Sequence, residues 1–427
     1  MVRQLQVQDN SYSITLKKGK IVIKNRQFTY TEFRIIVLAV VLIVAGLLCL
    51  YSTFHSRLLL SSESIFHRQL VWLAVGVVSA VVLALVPIHW ISQGAYLFYG
   101  LSLVLLVVVL FFGSGSVPRW IRIGPLTIQP SEFAKIATIL AAAQYLSKEK
   151  QRYLSQKQVV VLSIIVFLPL VLILQEPDMG TASVFLALLM IFIVWGGIPF
   201  KMAGWLVLFI SAFITGFNQM VFIAFLAISL FVLILKKQRF WKSMGILSIC
   251  LILGLLAPLV WNKMEPYQQH RIFTFLGVHS DPAGAAYQAI QSRIAIGSGG
   301  FWGKGFLHGT QTQLRFLPEQ HTDFIFSVLG EEFGFLGILL VLVCFGLLFT
   351  NILSILKRTR NRFVSFVLVG GLSILFYQVI INMGMTLGLV PVTGLPLPFL
   401  SYGGSSLVMA LSFVGLVLNI ASCRYSH

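Results

Sequence analysis

Apolar runs close to the roughly 20 residues that cross a bilayer as a helix recur along almost the whole chain, and most polar stretches between them are short. The pattern predicts helical spans at about 35–52, 68–87, 95–112, 131–147, 158–175, 182–198, 202–217, 219–235, 242–261, 326–350, 363–386 and 400–422. The expected fold is all-α and polytopic, with about twelve membrane helices. The runs 202–217 and 219–235 meet at Phe217, Asn218 and Gln219, as a tight hairpin or a re-entrant element; without them ten spans remain. Two stretches interrupt the pattern: a polar tail over 1–34 and one large loop over about 262–325.

Composition then fixes the class. Of the 427 residues 58% are hydrophobic and only 10% charged, and the mean hydropathy is +0.91, which excludes a string of soluble domains. Residues 35–427 read as a single membrane domain. The net charge is +18, and with the N-terminus inside, 21 of the 31 Lys and Arg fall on cytoplasmic segments, where short-loop basic residues stay. The C-terminus then lies inside as well. This charge orients the chain and attracts anionic lipid; no nucleic-acid module accompanies it. The tail is polar and basic before any apolar run starts, unlike a cleavable signal peptide. Cys49, Cys250, Cys344 and Cys423 have no paired spacing and no nearby histidine, so neither disulfides nor zinc is expected.

The acids behave differently from the bases. On this topology ten of the thirteen (Glu63, Glu132, Glu176, Asp178, Glu265, Asp281, Glu319, Asp323, Glu331 and Glu332) lie on or just below the outer face. "FLPEQHTDFIFSVLGEE", Phe316 to Glu332, passes from a polar loop into an apolar helix, where Thr322 or Asp323 can serve as a cap. Glu331 and Glu332, two turns deeper, call for a polar cavity or a partner, because ionisable groups in a bilayer are costly. "QPSEFAKIA" sets Glu132 and Lys135 three apart on one helix face, as an ion pair would require. "QEPDMGTA" sets Glu176 and Asp178 at a junction broken by Pro177 and Gly180. With Arg119, Trp120 and Arg122 of "SVPRWIRIG", these clusters suggest one polar, outward-facing cavity. The glycine-rich "IAIGSGGFWGKG" can fold as a flexible loop, or as a nest whose backbone N–H groups and Lys304 meet a phosphate, though it is not a Walker loop.

"RWI" followed by "QPSEFAK", "PDMGTA", "YQAIQSRIAIGSGGFWGKG", "LPEQHTDFIFSVLGEEFG" and "GLPLPFLSYGGSSL" resembles, in this order, the SEDS family of RodA, FtsW and SpoVE proteins, from about residue 35 to the C-terminus. "GFLHGTQTQLRFLPEQHTDFIF" is more similar to the elongation members than to the division members. The resemblance implies a peptidoglycan glycosyltransferase of the bacterial cytoplasmic membrane that polymerises lipid II at the outer face during elongation and cell-shape maintenance. Its implied partners are a class B penicillin-binding protein transpeptidase and elongation-complex proteins. Family members have ten helices, so two extra ones, a hairpin within about 200–260, are expected here.

Carried over residue by residue, Asp323 matches the family's essential loop aspartate. A carboxylate there is suited to take the proton of the acceptor 4-hydroxyl as a general base, in a single inverting displacement. The pyrophosphate leaving group needs positive charge, for which Arg119, Arg122, Lys135, Arg293 and Lys304 are candidates, with a divalent cation (Mg²⁺ or Mn²⁺) as a further expectation. Glu132 with Lys135, and Asp178, match family positions and are assigned to cavity shaping and substrate positioning, against a structural role. His321 is a candidate second base or a plain hydrogen-bonding group, and Trp120 covers a lipid groove or anchors at the interface. Ser401, Gly403 and Gly404 line the cavity or turn the chain. A lipid II flippase and a non-catalytic scaffold for the transpeptidase remain as alternatives.

Overall fold

A computed structural model describes residues 14–17, 20–23, 26–27, 30–55, 62–113, 119–124, 126–148, 153–235, 240–275, 285–314 and 316–422. Asp281 and Cys423, and the side chain of Glu63, lie outside the described residues. A helix stands at each of the twelve predicted places: α1 (Tyr30–His55), α2 (Ser62–Leu85), α3 (Ile88–Phe112), α4 (Pro130–Ser147), α5 (Gln156–Gln175), α6 (Met179–Gly196), α7 (Phe200–Thr215), α8 (Gln219–Leu235), α9 (Phe240–Lys263), α13 (Ile325–Arg358), α14 (Arg362–Thr386) and α15 (Gly404–Ser422). Among the described residues nine helices are long and apolar enough to cross a membrane, so the chain is a multi-pass helical membrane protein. The other three are α4, which is buried along most of its length and carries a Glu and a Lys, and the shorter α7 and α8.

The loop expected over 262–325 is largely helical, holding α10 (Pro266–Phe275), α11 (Ala285–Gly299) and α12 (Thr310–Gln313). Its apolar positions are spread over short amphipathic turns and not one long run, so hydropathy alone left them unmarked. Two small antiparallel sheets also qualify the all-α expectation. β1 (Ile14–Lys17), β2 (Lys20–Ile23) and β3 (Arg26–Gln27) form one in the tail, and β4 (Ile121–Ile123) pairs with β5 (Leu126–Ile128) in the other.

The chain divides into two compact units. The larger comprises residues up to Glu149, Leu162–Ile191 and Gln288 onward. Here α2 packs along α15, α3 along α4, α1 against α13 and α14 against α4, which buries nearly all of α4 and α15. The smaller comprises Lys150–Val161 and Phe192–Tyr287, built around α7, α8 and α9. In it α7 and α8 form the tight hairpin: the Asn218 carboxamide oxygen accepts from the N–H groups of Met220 (3.1 Å) and Val221 (3.3 Å) and so caps α8. Gly216 lets this hairpin close on α9, since a Cβ there would lie 2.3 Å from the Gly254 carbonyl oxygen.

α13 is not one helix throughout. Gly334 (φ 64°, ψ −160°) breaks it, so Glu331 and Glu332 belong to a short first segment and not to the long span that follows. The glycine-rich segment plugs this break. Phe335 and Leu336 donate to the carbonyls of Gly300 (2.9 Å) and Phe301 (3.3 Å), while Lys304 and Gly305 donate back to those of Glu331 and Glu332, both at 3.0 Å. Groups that a broken helix leaves without partners are thereby paired. Gly303 (φ +83°) is required by this contact, because a Cβ would sit 2.1 Å from the Glu332 carbonyl oxygen.

Candidate active site

Asp323 lies in the turn between Phe316 and the start of α13. The cap position of α13 is held by Phe324, whose side chain makes no capping bond, and the Thr322 hydroxyl turns back to the Glu319 carbonyl (3.2 Å). The turn is braced from several elements. The Glu319 carbonyl accepts from the N–H groups of Thr322 and Asp323, both at 3.2 Å, and the fully buried Asn382 of α14 donates to the Asp323 carbonyl (2.9 Å) and to that of Leu395 (2.7 Å). The Asp323 carboxylate rests against Gly394, where a Cβ would come 3.4 Å from its Oδ2. The Tyr402 N–H donates to the His321 carbonyl (2.9 Å), and the His321 ring stands between Phe54 of α1 and Tyr402. Burial lowers the His321 pKa, opposed by the Glu319 carboxylate 3.9 Å away, so this ring is neutral near pH 7 and is not a resident cation. Burial raises the Tyr402 hydroxyl, opposed by Arg68 of α2.

Beside Thr322 opens a cavity of about 530 Å³. Trp120, Arg122 and Thr127 line it from one side, and Tyr402, Gly403 and Gly404 from the segment that leads into α15. The hairpin register explains the first group: Arg122 pairs with Thr127, and Trp120 is two residues from Arg122, so all three project from one face. Gly124 (φ +61°) provides the turn. The cavity thus brings together residues of the "RWI", "HTDF" and "SYGG" motifs, while Glu132, Lys135, Glu176, Asp178, Glu331 and Glu332, expected to share it, are not in its lining. Ser401 is not in its lining. Its hydroxyl accepts from the Leu397 N–H (2.8 Å) and closes a turn.

The remaining charged candidates are committed elsewhere. Arg119 donates to the carbonyls of Glu176 (Nε, 2.8 Å) and Pro177, tying the hairpin to the α5–α6 junction. Glu176 is pushed up to about 8 by burial and by Asp178, with Arg119 opposing. Asp178 sits just before α6 and accepts from the Thr181 N–H (3.0 Å), the Thr181 hydroxyl (2.9 Å) and Gln129 Nε2 (3.1 Å), the work of a helix cap. Lys135 is fully buried and bonds Glu132 at 2.7 Å. Among the described residues Arg293 reaches only the Ala289 carbonyl of its own helix (3.4 Å), and it lies beside Gly388.

Lys304 bonds the buried Glu331 (2.8 Å) and Thr310 (2.6 Å). Glu331 also accepts from the N–H groups of Gln311 (2.8 Å) and Thr312 (3.0 Å) and the Thr312 hydroxyl (2.9 Å), and Ser52 of α1 bonds Glu332. This corrects the phosphate-nest reading of "IAIGSGGFWGKG": the N–H groups of Lys304 and Gly305 and the Lys304 ammonium all have protein partners. Among the described residues no group of three or more His, Cys, Asp or Glu converges that could hold a metal, so the expected divalent cation has no protein-built cage there. The sequence reading missed Tyr402, Thr127, Asn382 and Arg68, and only the charge of Arg68 at the mouth of an apolar run was a visible signal.

A family model described as a cell cycle protein, FtsW, RodA and SpoVE, matches residues 33–227 and 218–426. The chain belongs to this family. It is 37% identical over 362 residues to the peptidoglycan glycosyltransferase MrdB of Escherichia coli K12, covering 84% of this chain and 85% of that protein. It is 34% identical to the peptidoglycan glycosyltransferase RodA of Treponema pallidum, over 83% of this chain and 88% of that one. A solved chain of a peptidoglycan synthase complex that coordinates polymerization and crosslinking superposes with a TM-score of 0.69 at 30% identity, covering 92% of this chain and 98% of that chain.

Proposed function

We propose that this chain is a peptidoglycan glycosyltransferase that polymerises lipid II during cell elongation, at the outer face of the bacterial cytoplasmic membrane. The observation that carries this reading is the turn of Thr322 and Asp323 braced at the edge of a cavity that also presents a cation, an aromatic ring and hydroxyls. In the reaction the acceptor 4-oxygen forms a bond to the anomeric carbon of the donor while the bond from that carbon to the pyrophosphate oxygen breaks. The electron pair leaves with the lipid pyrophosphate and the hydroxyl proton passes to Asp323. One displacement inverts the anomeric centre, with no covalent enzyme intermediate. Asn382 and the Glu319 carbonyl hold the backbone of the base, and the neutral His321 ring packs between Phe54 and Tyr402. A divalent cation, were one bound, would supply charge neutralisation at the leaving group.

Both termini lie in the cytoplasm, a reading supported by the basic residues on those sides. The partner is a class B penicillin-binding protein, a reading supported by the likeness to a chain from a complex that polymerises and crosslinks. The test is to incubate the purified protein, alone and with its class B partner, with labelled lipid II and to resolve the products by size. A glycan ladder from the native protein and a rate lower by about 100- to 10,000-fold in a folded Asp323→Asn variant are expected. Undiminished polymerisation by Asp323→Asn would remove the base, and no ladder from an intact, partner-bound protein would favour lipid transport instead.

A further inference from the structure

Five cations suit a pyrophosphate by charge, and the structure separates them. Arg119 is spent on two backbone carbonyls, Lys135 is sealed against Glu132, Lys304 is held by Glu331, and Arg293 lies away from the cavity lining. Arg122 alone of the five lines the cavity, and among the described residues it makes no hydrogen bond or ion pair. Its position is set by the hairpin: Ile121 pairs with Ile128 and takes the opposite face, so Arg122, paired with Thr127, points with Trp120 into the cavity.

We propose that Arg122 is the residue that grips the donor's pyrophosphate, with the Thr127 hydroxyl beside it and the Trp120 ring covering the adjoining sugar. A guanidinium presents a planar fork of donors that matches two phosphate oxygens, and it keeps its charge as negative charge builds on the leaving group. Trp120 lines the cavity and is 36% exposed, so its ring is placed to meet the apolar face of a hexose there. Thr322, next to the base, lines the same cavity, so the base's turn and the Arg122 guanidinium share one space of about 530 Å³. Arg119 is a positioning residue in this arrangement, anchoring the strand that carries Arg122.

The inference rests on the polymerase reading, and the experiment keeps the two apart. The full chain with its class B partner is assayed on labelled lipid II for kcat and KM, and for product inhibition by undecaprenyl pyrophosphate against undecaprenyl phosphate. Arg122→Ala is expected to raise KM and weaken pyrophosphate inhibition by about 10- to 100-fold, with unchanged melting because the side chain is exposed in the cavity. Arg122→Lys recovers part of both through its point charge. Native polymerisation with an Arg122→Ala variant of unchanged KM and unchanged inhibition would overturn the assignment while leaving the polymerase intact. An inactive native protein would instead fail the reading beneath it.

Discussion

Replacing Glu331 by Ala is the sharpest probe of how the candidate site is held. Its carboxylate is buried and accepts five bonds from Lys304, Thr310, Gln311 and Thr312, and so ties the glycine-rich segment and α12 to α13. The substitution strands an ammonium and two backbone N–H groups. Breaking one side of a buried ion pair costs about 3–5 kcal/mol. Lys304 remains 25% exposed, so solvent screens part of its charge and the lower end, about 3 kcal/mol, is expected from the pair. The two amides would lose about 1–3 kcal/mol each if nothing replaced the carboxylate, and water entering at the edge offsets most of this, leaving at most about 1 kcal/mol each. A loss of about 3–5 kcal/mol confined to residues 299–314 follows. By hydrogen exchange in nanodiscs it appears as roughly 100- to 5,000-fold faster exchange there, with α2 and α15 unchanged. Lys304→Met on the Glu331→Ala background removes the stranded charge and is less costly than the two single losses combined. Lys304→Met that abolishes polymerisation while leaving exchange and melting untouched would refute this reasoning and return Lys304 to the substrate.

Gly303→Ala combines a positive φ with a backbone collision at 2.1 Å, and a loss of at least about 2–4 kcal/mol is expected by thermal melting, whereas Gly100→Ala, with nothing within 4 Å of its Cβ, stays within about 1 kcal/mol. Burial holds the His321 pKa below its ordinary 6.5, so between 6.5 and the lower native value the unfolded chain binds more protons and stability falls as pH drops through that window. Melting curves between about pH 5 and pH 7.5 test this. His321→Gln flattens the acid limb, and Glu319→Gln steepens it, because Glu319 is the group that favours the imidazolium.

The sequence by itself determined that the chain is a set of membrane helices and where each long apolar helix lies, though not the short helices α10 to α12. Bilayer thickness imposes the length of each apolar run, and the cost of burying charge leaves Asp323, Glu331 and Glu332 conspicuous in it. It did not separate charges that serve the fold from those that face the cavity. Arg119 and Arg122 are three residues apart and chemically identical, yet one bonds carbonyls at the α5–α6 junction and the other faces the cavity, because strand register and a distant loop decide it. The same holds for "IAIGSGGFWGKG", where the N–H groups of Lys304 and Gly305 meet the broken α13 and not a phosphate: a nest and a backbone plug need the same residues, and only the partner at hydrogen-bond distance tells them apart.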